Sequence, residues 1–175
     1  MKIDKTNITK IKDAEELLEF IATYRYESFE TLESEEFIQL PEYIKDVVFI
    51  LDFETEYEMQ GLFTYLENST GHYLSEVIQS FRRSDNKDIA DTLIELREAL
   101  ENFGLSSNMI RENLTNTNTE LYSISSFSLR HENILEENPD FEEKIGEIDK
   151  KLNDFIEKKE FWNNVTKYVQ RNIYN

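Results

Sequence analysis

Four carboxylates alternate along one short stretch, Asp52, Glu54, Glu56 and Glu58, and the stretch continues through Gly61 to a closing Asn68-Ser69-Thr70-Gly71. Two chemistries are open to such a set. A carboxyl pair supports acid–base hydrolysis when burial keeps one group protonated and the other stays ionised. Clustered carboxylates can also ligate a hard cation. Alternate residues of a helix swing by about 200°, so the four cannot face one cleft. They divide into Asp52/Glu56 and Glu54/Glu58. A solvated or salt-bridged face is the plainest expectation, a partner-binding surface comes next, and a catalytic or metal site is the least favoured.

Other chemistry finds less support. His72 and His131 are the only histidines. Neither has a second His one turn away, and Ser128 stands where a Glu-x-x-His element would need its acid, so the helical di-iron pattern fails. There is no Gly-x-Ser-x-Gly, no Walker loop and no Gly-x-Gly-x-x-Gly. With no Cys there is no thiolate metal site, no Cys nucleophile and no disulfide. Arg82-Arg83 could hold an anion, but two bases closing a helix are accounted for by the helix dipole. The expectation is a protein that is not an enzyme, with no catalytic, metal-ligating or cofactor-binding residue assigned.

The elements that position these residues read as helices. Gly (4) and Pro (2) are scarce, which disfavours turn-rich β folds, while 12 Phe and 9 Tyr can fill a core. Apolar spacing of three and four predicts a helix from Asp13, as N-cap, to about Tyr24. A short acidic segment runs from Ser28 to Leu40. Pro41 then opens a helix to about Met59 that is apolar nearly all round, the expected central buried helix. Gly61–Glu67 reads as a short helix or turn ended by Asn68–Gly71. Tyr73–Arg82 and Asn86–Phe103 form a hairpin across Ser84-Asp85. Gly104–Asn118 reads as a loop holding a short helix, Glu120–Asn138 as a helix, and two more helices begin at Pro139 and near Trp162. The fold class is all-α: a single compact multi-helix domain over residues 1–175, with N-terminal helices in 1–40.

Charge is unevenly placed. The chain carries 37 acids against 19 bases, a net −18. Between Tyr26 and Ser80 there are 13 acids and one base, Lys45. Solvated helices usually interleave the signs, because an opposite pair one turn apart stabilises by roughly 0.2–0.5 kcal/mol. The C-terminal half does so, as in Glu157-Lys158-Lys159-Glu160; the Tyr26–Ser80 window does not. Such a chain repels nucleic acid and anionic membranes, and a partner bound through charge should be basic. Met1-Lys-Ile-Asp-Lys does not read as a signal peptide, and no window has the length of apolar chain that a membrane span needs. A cytoplasmic location is expected, and the Asn-x-Thr tripeptides at Asn7, Asn113 and Asn164 are expected to be chance.

One run has a recognisable pattern: Glu56-Tyr57-Glu58-Met59-Gln60-Gly61-Leu62-Phe63-Thr64-Tyr65-Leu66-Glu67-Asn68-Ser69-Thr70-Gly71. It resembles the bacterial family named for DNA mimic protein 19. That family carries a Glu, then Asn-Asn-Gly-Gly-Phe, Gln-Tyr-Phe and Asn-Ser-x-Gly. Glu56, Gly61, Tyr65, Asn68, Ser69 and Gly71 match. Glu58, Met59 and Gln60 replace Asn-Asn-Gly, Thr64 replaces Gln, and Leu62 and Leu66 stand where the family has Phe. The likeness extends over about residues 40–170.

The resemblance implies a helical, acidic, non-enzymatic protein whose carboxylates stand in for DNA phosphates on the DNA-binding face of a basic regulator. Candidate contacts are Glu33, Glu35, Glu36, Glu42, Asp46, Asp52, Glu54, Glu56 and Glu58, one charged ridge. Gly61, Tyr65, Asn68, Ser69 and Gly71 read as a structural corner, with Gly61 allowing close packing, Gly71 a positive-φ turn, and Asn68 and Ser69 bonding a helix end. Alternatives stay open: an immunity protein neutralising a basic nuclease toxin, an enzyme built on the corner, or a helical domain without mimicry. A homodimer is also left open, and no cofactor is expected.

Overall fold

The computed structural model describes residues 13–28, 32, 34–104 and 139–173. Glu33, His131 and the elements expected across 105–138 lie outside them. Among the described residues there are helices and turns and no strand, an all-α fold.

The order is α1 (Ala14–Ser28), α2 (Glu35–Ile38), α3 (Glu42–Glu67), a 3-10 turn (Ser69–Tyr73), α4 (Leu74–Arg83), α5 (Lys87–Asn102), α6 (Pro139–Ile156) and α7 (Phe161–Ile173). Local chemistry sets the ends. Asp13 Oδ1 accepts the Glu15 and Glu16 amides, and Ser34 Oγ accepts the Phe37 amide, so both residues cap helices as such side chains do. Pro41 stands just before α3, where its missing N–H costs nothing. Asp85, at φ 67°, closes α4: the Asn86 amide reaches back to the Phe81 carbonyl at 2.8 Å, and α5 starts at once.

α3 is the centre. Ile44, Val47, Val48, Ile50, Phe53 and Tyr57 are all buried along it. α1, α4 and α7 each pack on α3, α4 also packs on α5, and α5 carries α6. Aromatic rings run through the core from Tyr65 to Phe53 (4.8 Å between centroids, edge to face), then to Phe81 (5.6 Å), Phe161 (5.9 Å) and Trp162 (5.3 Å). Edge-to-face contacts of this kind add about 0.5–1.5 kcal/mol each beyond the area buried. The central apolar helix expected from Pro41 is therefore present, and it continues past Met59 to Glu67 through a break at Gly61, where φ is 81° and ψ is −179°.

Candidate functional site

The carboxylates of α3 do not form a ridge. They radiate from the central helix to different neighbours, and most reach inward. Asp46 is wholly buried. Tyr168 of α7 donates to its Oδ2 at 2.6 Å, and the Ser80 hydroxyl of α4 lies 2.9 Å from its Oδ1. Arg83 supplies two more bonds, Nε to Oδ2 at 2.9 Å and Nη2 to Oδ1. The Asp46 carboxylate beside Arg83 holds the guanidinium's pKa up, and burial together with the bond to Asp46 pushes the Tyr168 hydroxyl up. Arg83 thus does more than face a helix dipole: it turns back to Asp46 and also meets Glu42 at 3.1 Å.

Asp52 is 7% exposed and takes Arg25 of α1 as a fork, with Nε 2.7 Å from Oδ1 and Nη2 2.9 Å from Oδ2. Glu54 is also buried. Trp162 of α7 donates its indole N–H to Oε1 at 2.9 Å, and Lys159 approaches at 3.8 Å. Burial pushes both carboxyls up; Arg25 pulls Asp52 back down, and Trp162 and Lys159 do the same for Glu54. Asp46, Asp52 and Glu54 were expected on a partner-binding surface. The structure instead places them inside, because each finds a base or a donor on a helix distant in sequence.

The other candidates divide. Glu35 and Glu36 are exposed on α2. Glu42 is exposed but meets Lys45 at 3.3 Å as well as Arg83. Glu58 is exposed and meets Lys159 at 3.1 Å, so one lysine spans the like-charged Glu54/Glu58 pair. Glu56 is half-buried and belongs to the corner.

In that corner the two glycines exchange their expected roles. Gly61 takes the positive φ, in a region open essentially to glycine alone, and a Cβ there would meet nothing within 4 Å. Gly71 provides the close approach: a Cβ would lie 2.4 Å from the Tyr65 carbonyl oxygen and 2.6 Å from that of Leu66. Asn68 ends α3 through its backbone, its amide bonding the Thr64 carbonyl at 3.0 Å, and its side chain makes no cap bond to the 3-10 turn. Tyr65 is fully buried against Phe53. The side chain of Ser69 lies outside the described residues.

A family model described as DMP19-like protein matches residues 38–172, which is most of the chain. The chain belongs to the DMP19-like family. No curated protein and no solved structure gives a significant match. The DMP19-like match begins at Ile38, so α1 lies ahead of it, yet α1 is tied to the matched region by Arg25 and Asp52. The corner, the hairpin and α6 fall inside the match, as does α7 up to Asn172.

Several ties have no signal in the sequence pattern. Asn86 gives its amide to Ser84 Oγ at 3.0 Å and to the Phe161 carbonyl at 3.3 Å, and it accepts from Asn164 at 3.0 Å. Asn164, in an Asn-x-Thr tripeptide, thus helps hold α7 to the α4–α5 turn. Tyr57 donates to the Asp149 carbonyl of α6 at 3.1 Å. Among the described residues no group of three or more His, Asp or Glu side chains could hold a metal ion, and no helix is long and apolar enough to cross a membrane.

Proposed function

We propose that this DMP19-like protein is an acidic, non-enzymatic binding protein that takes a basic protein as its partner, in the manner of a DNA mimic occupying a regulator's DNA-binding face. One observation carries the reading. Each buried acid of α3 faces a base, Asp46 with Arg83, Asp52 with Arg25 and Glu54 with Lys159, although Arg83 also meets Glu42 and Lys159 also meets Glu58. Three acids and three bases cancel, so the whole surplus of −18 is left to the rest of the chain.

The exposed acids supporting this reading differ from the expected ridge. On α1 they are Asp13, Glu15, Glu16 and Glu19, with no base before Arg25, and on α2 they are Glu35 and Glu36. The last described segment, 139–173, is close to neutral, with seven bases against eight acids. A basic partner is therefore steered toward α1 and α2 rather than toward α6 and α7. The family name agrees with mimicry.

Titration of the full chain against basic DNA-binding proteins, at low and high salt, tests the proposal. Binding that weakens with salt and is lost on charge reversal at Glu15, Glu16, Glu35 and Glu36 is expected. Absence of binding, or indifference to the reversal, refutes it.

A further inference from the structure

The three buried acids of α3 differ in where their partners come from. Asp46 is served by Ser80, Arg83 and Tyr168, and Glu54 by Lys159 and Trp162, all inside the family match over residues 38–172. Asp52 is served, among the described residues, by Arg25, which belongs to α1 and lies ahead of the match.

α1 seats itself on the matched body by packing on α3 and α7. Ala14, Leu17, Ile21 and Tyr24 are buried at the spacing of one helix face, and Arg25 follows directly. The seat therefore accepts an amphipathic helix with an arginine beside its apolar stripe. In charge α1 suits it poorly. Glu15, Glu16, Glu19 and Glu27 stand against Arg25, in a chain of net −18. Like charges brought together across a docked surface are unfavourable, so a helix of the opposite sign is the better complement.

We propose that α1 is a strap over a seat for a basic amphipathic helix of the partner, with Arg25 holding in cis the carboxylate that a partner arginine takes in trans. This rests on the reading of the protein as a binder of basic proteins, and it names the surface and the group they use. The seat selects a guanidinium: Nε of Arg25 lies 2.7 Å from Oδ1 and Nη2 lies 2.9 Å from Oδ2, a planar fork that an ammonium cannot reproduce. Glu15, Glu16 and Glu19 are exposed on α1 and draw a basic partner to the strap. Displacement exchanges one helix for another in the same groove, so the apolar strip stays covered. A strapped chain binds more weakly, by the fraction of molecules whose seat is open.

The test compares full-length wild type with R25A, which loosens the strap, and with R82A, which removes a base that pairs with Asp91 away from α1. Without any partner, guanidinium chloride at about 20 mM should raise the melting temperature of R25A above its value in equal sodium chloride, and should not do so for R82A. Against a basic DNA-binding protein, R25A should bind at least about fivefold more tightly than R82A, which has lost the same charge. In wild type bound to that protein, α1 amides should exchange faster and α3 amides more slowly, a readout that needs no variant to fold. Guanidinium without effect on R25A, equal affinities of R25A and R82A, or α1 amides slowed in the complex would each overturn the strap and leave the acidic-binder reading standing. Binding by none of the three proteins would sink that reading, and the strap's occupant with it.

Discussion

Replacing Asp46 by alanine would strand the buried Tyr168 phenol that donates to its carboxylate, while the Arg83 guanidinium keeps Glu42 and solvent. Arg83 is exposed enough to be solvated on its own, so the loss is mainly that of the Tyr168 hydroxyl's acceptor, and D46A should cost about 1–3 kcal/mol in chemical denaturation. Lys159 offers the contrast. Its side chain is 55% exposed where it meets Glu58, so K159A should cost no more than about 1 kcal/mol. The two motif glycines should also separate. G61A forces a side chain into a glycine-only region with open space around it, costing about 1–3 kcal/mol. G71A drives a methyl into two backbone carbonyls and should be worse; equal losses would contradict the assignment. At this scale the sequence was only partly legible. It marked Gly61 and Gly71 as special but assigned the φ to Gly71 and the close approach to Gly61, the reverse of what is found, since both demands select the same residue. It also marked α3 as over-rich in acid. The cancelling bases could not be seen, because Arg25 and Arg83 lie 27 and 37 residues from Asp52 and Asp46, and Lys159 lies 101 residues from Glu58, the carboxylate it meets beside Glu54.

Helices were far easier to read than side-chain partners. The spacing of apolar residues placed α1, α4, α5, α6 and α7 to within a few residues, because one buried stripe per helix is a local pattern; it placed the start of α3 equally well but ended it near Met59 rather than at Glu67. Pro41 and Ser84-Asp85 marked ends for the same reason. The docking of α1 was not local. It packs on α3 and α7, burying Leu17 and Ile21, and Arg25 is its polar tie. R25A leaves Asp52 buried with its fork removed and should cost about 1.5–3 kcal/mol, with amide exchange rising first in α1. If exchange instead rises uniformly across all helices, α1 is not a separable element held by this pair. α3 itself acts as a hub: its carboxylates reach α1, α4 and α7, so its acidity in this stretch serves assembly more than display.

For the whole molecule, burial raises the carboxyls of Asp52, Glu54 and Glu56 above their ordinary values. Groups shifted this way add stability that is complete below the unfolded values and is lost as pH rises through the folded ones. Lowering the pH toward the ordinary carboxylate range should therefore raise the melting temperature, and a fall on that approach would contradict the burial of these acids in ionisable form. The same burial moves the search for a partner surface outward. Among the described residues, acids with no interleaved base stand at the start of α1 and on α2, where Glu15, Glu16, Glu35 and Glu36 are exposed. At about 0.1 M salt such charges are felt over about 10 Å. The most direct measurement is the affinity of the full chain for basic DNA-binding proteins as a function of salt, for wild type and for E35K/E36K. The account predicts binding at about 50 mM salt that weakens at least about tenfold by about 300 mM. It also predicts a further loss of affinity in the reversal variant. No binding at low salt, or equal affinity in the two proteins, would contradict it.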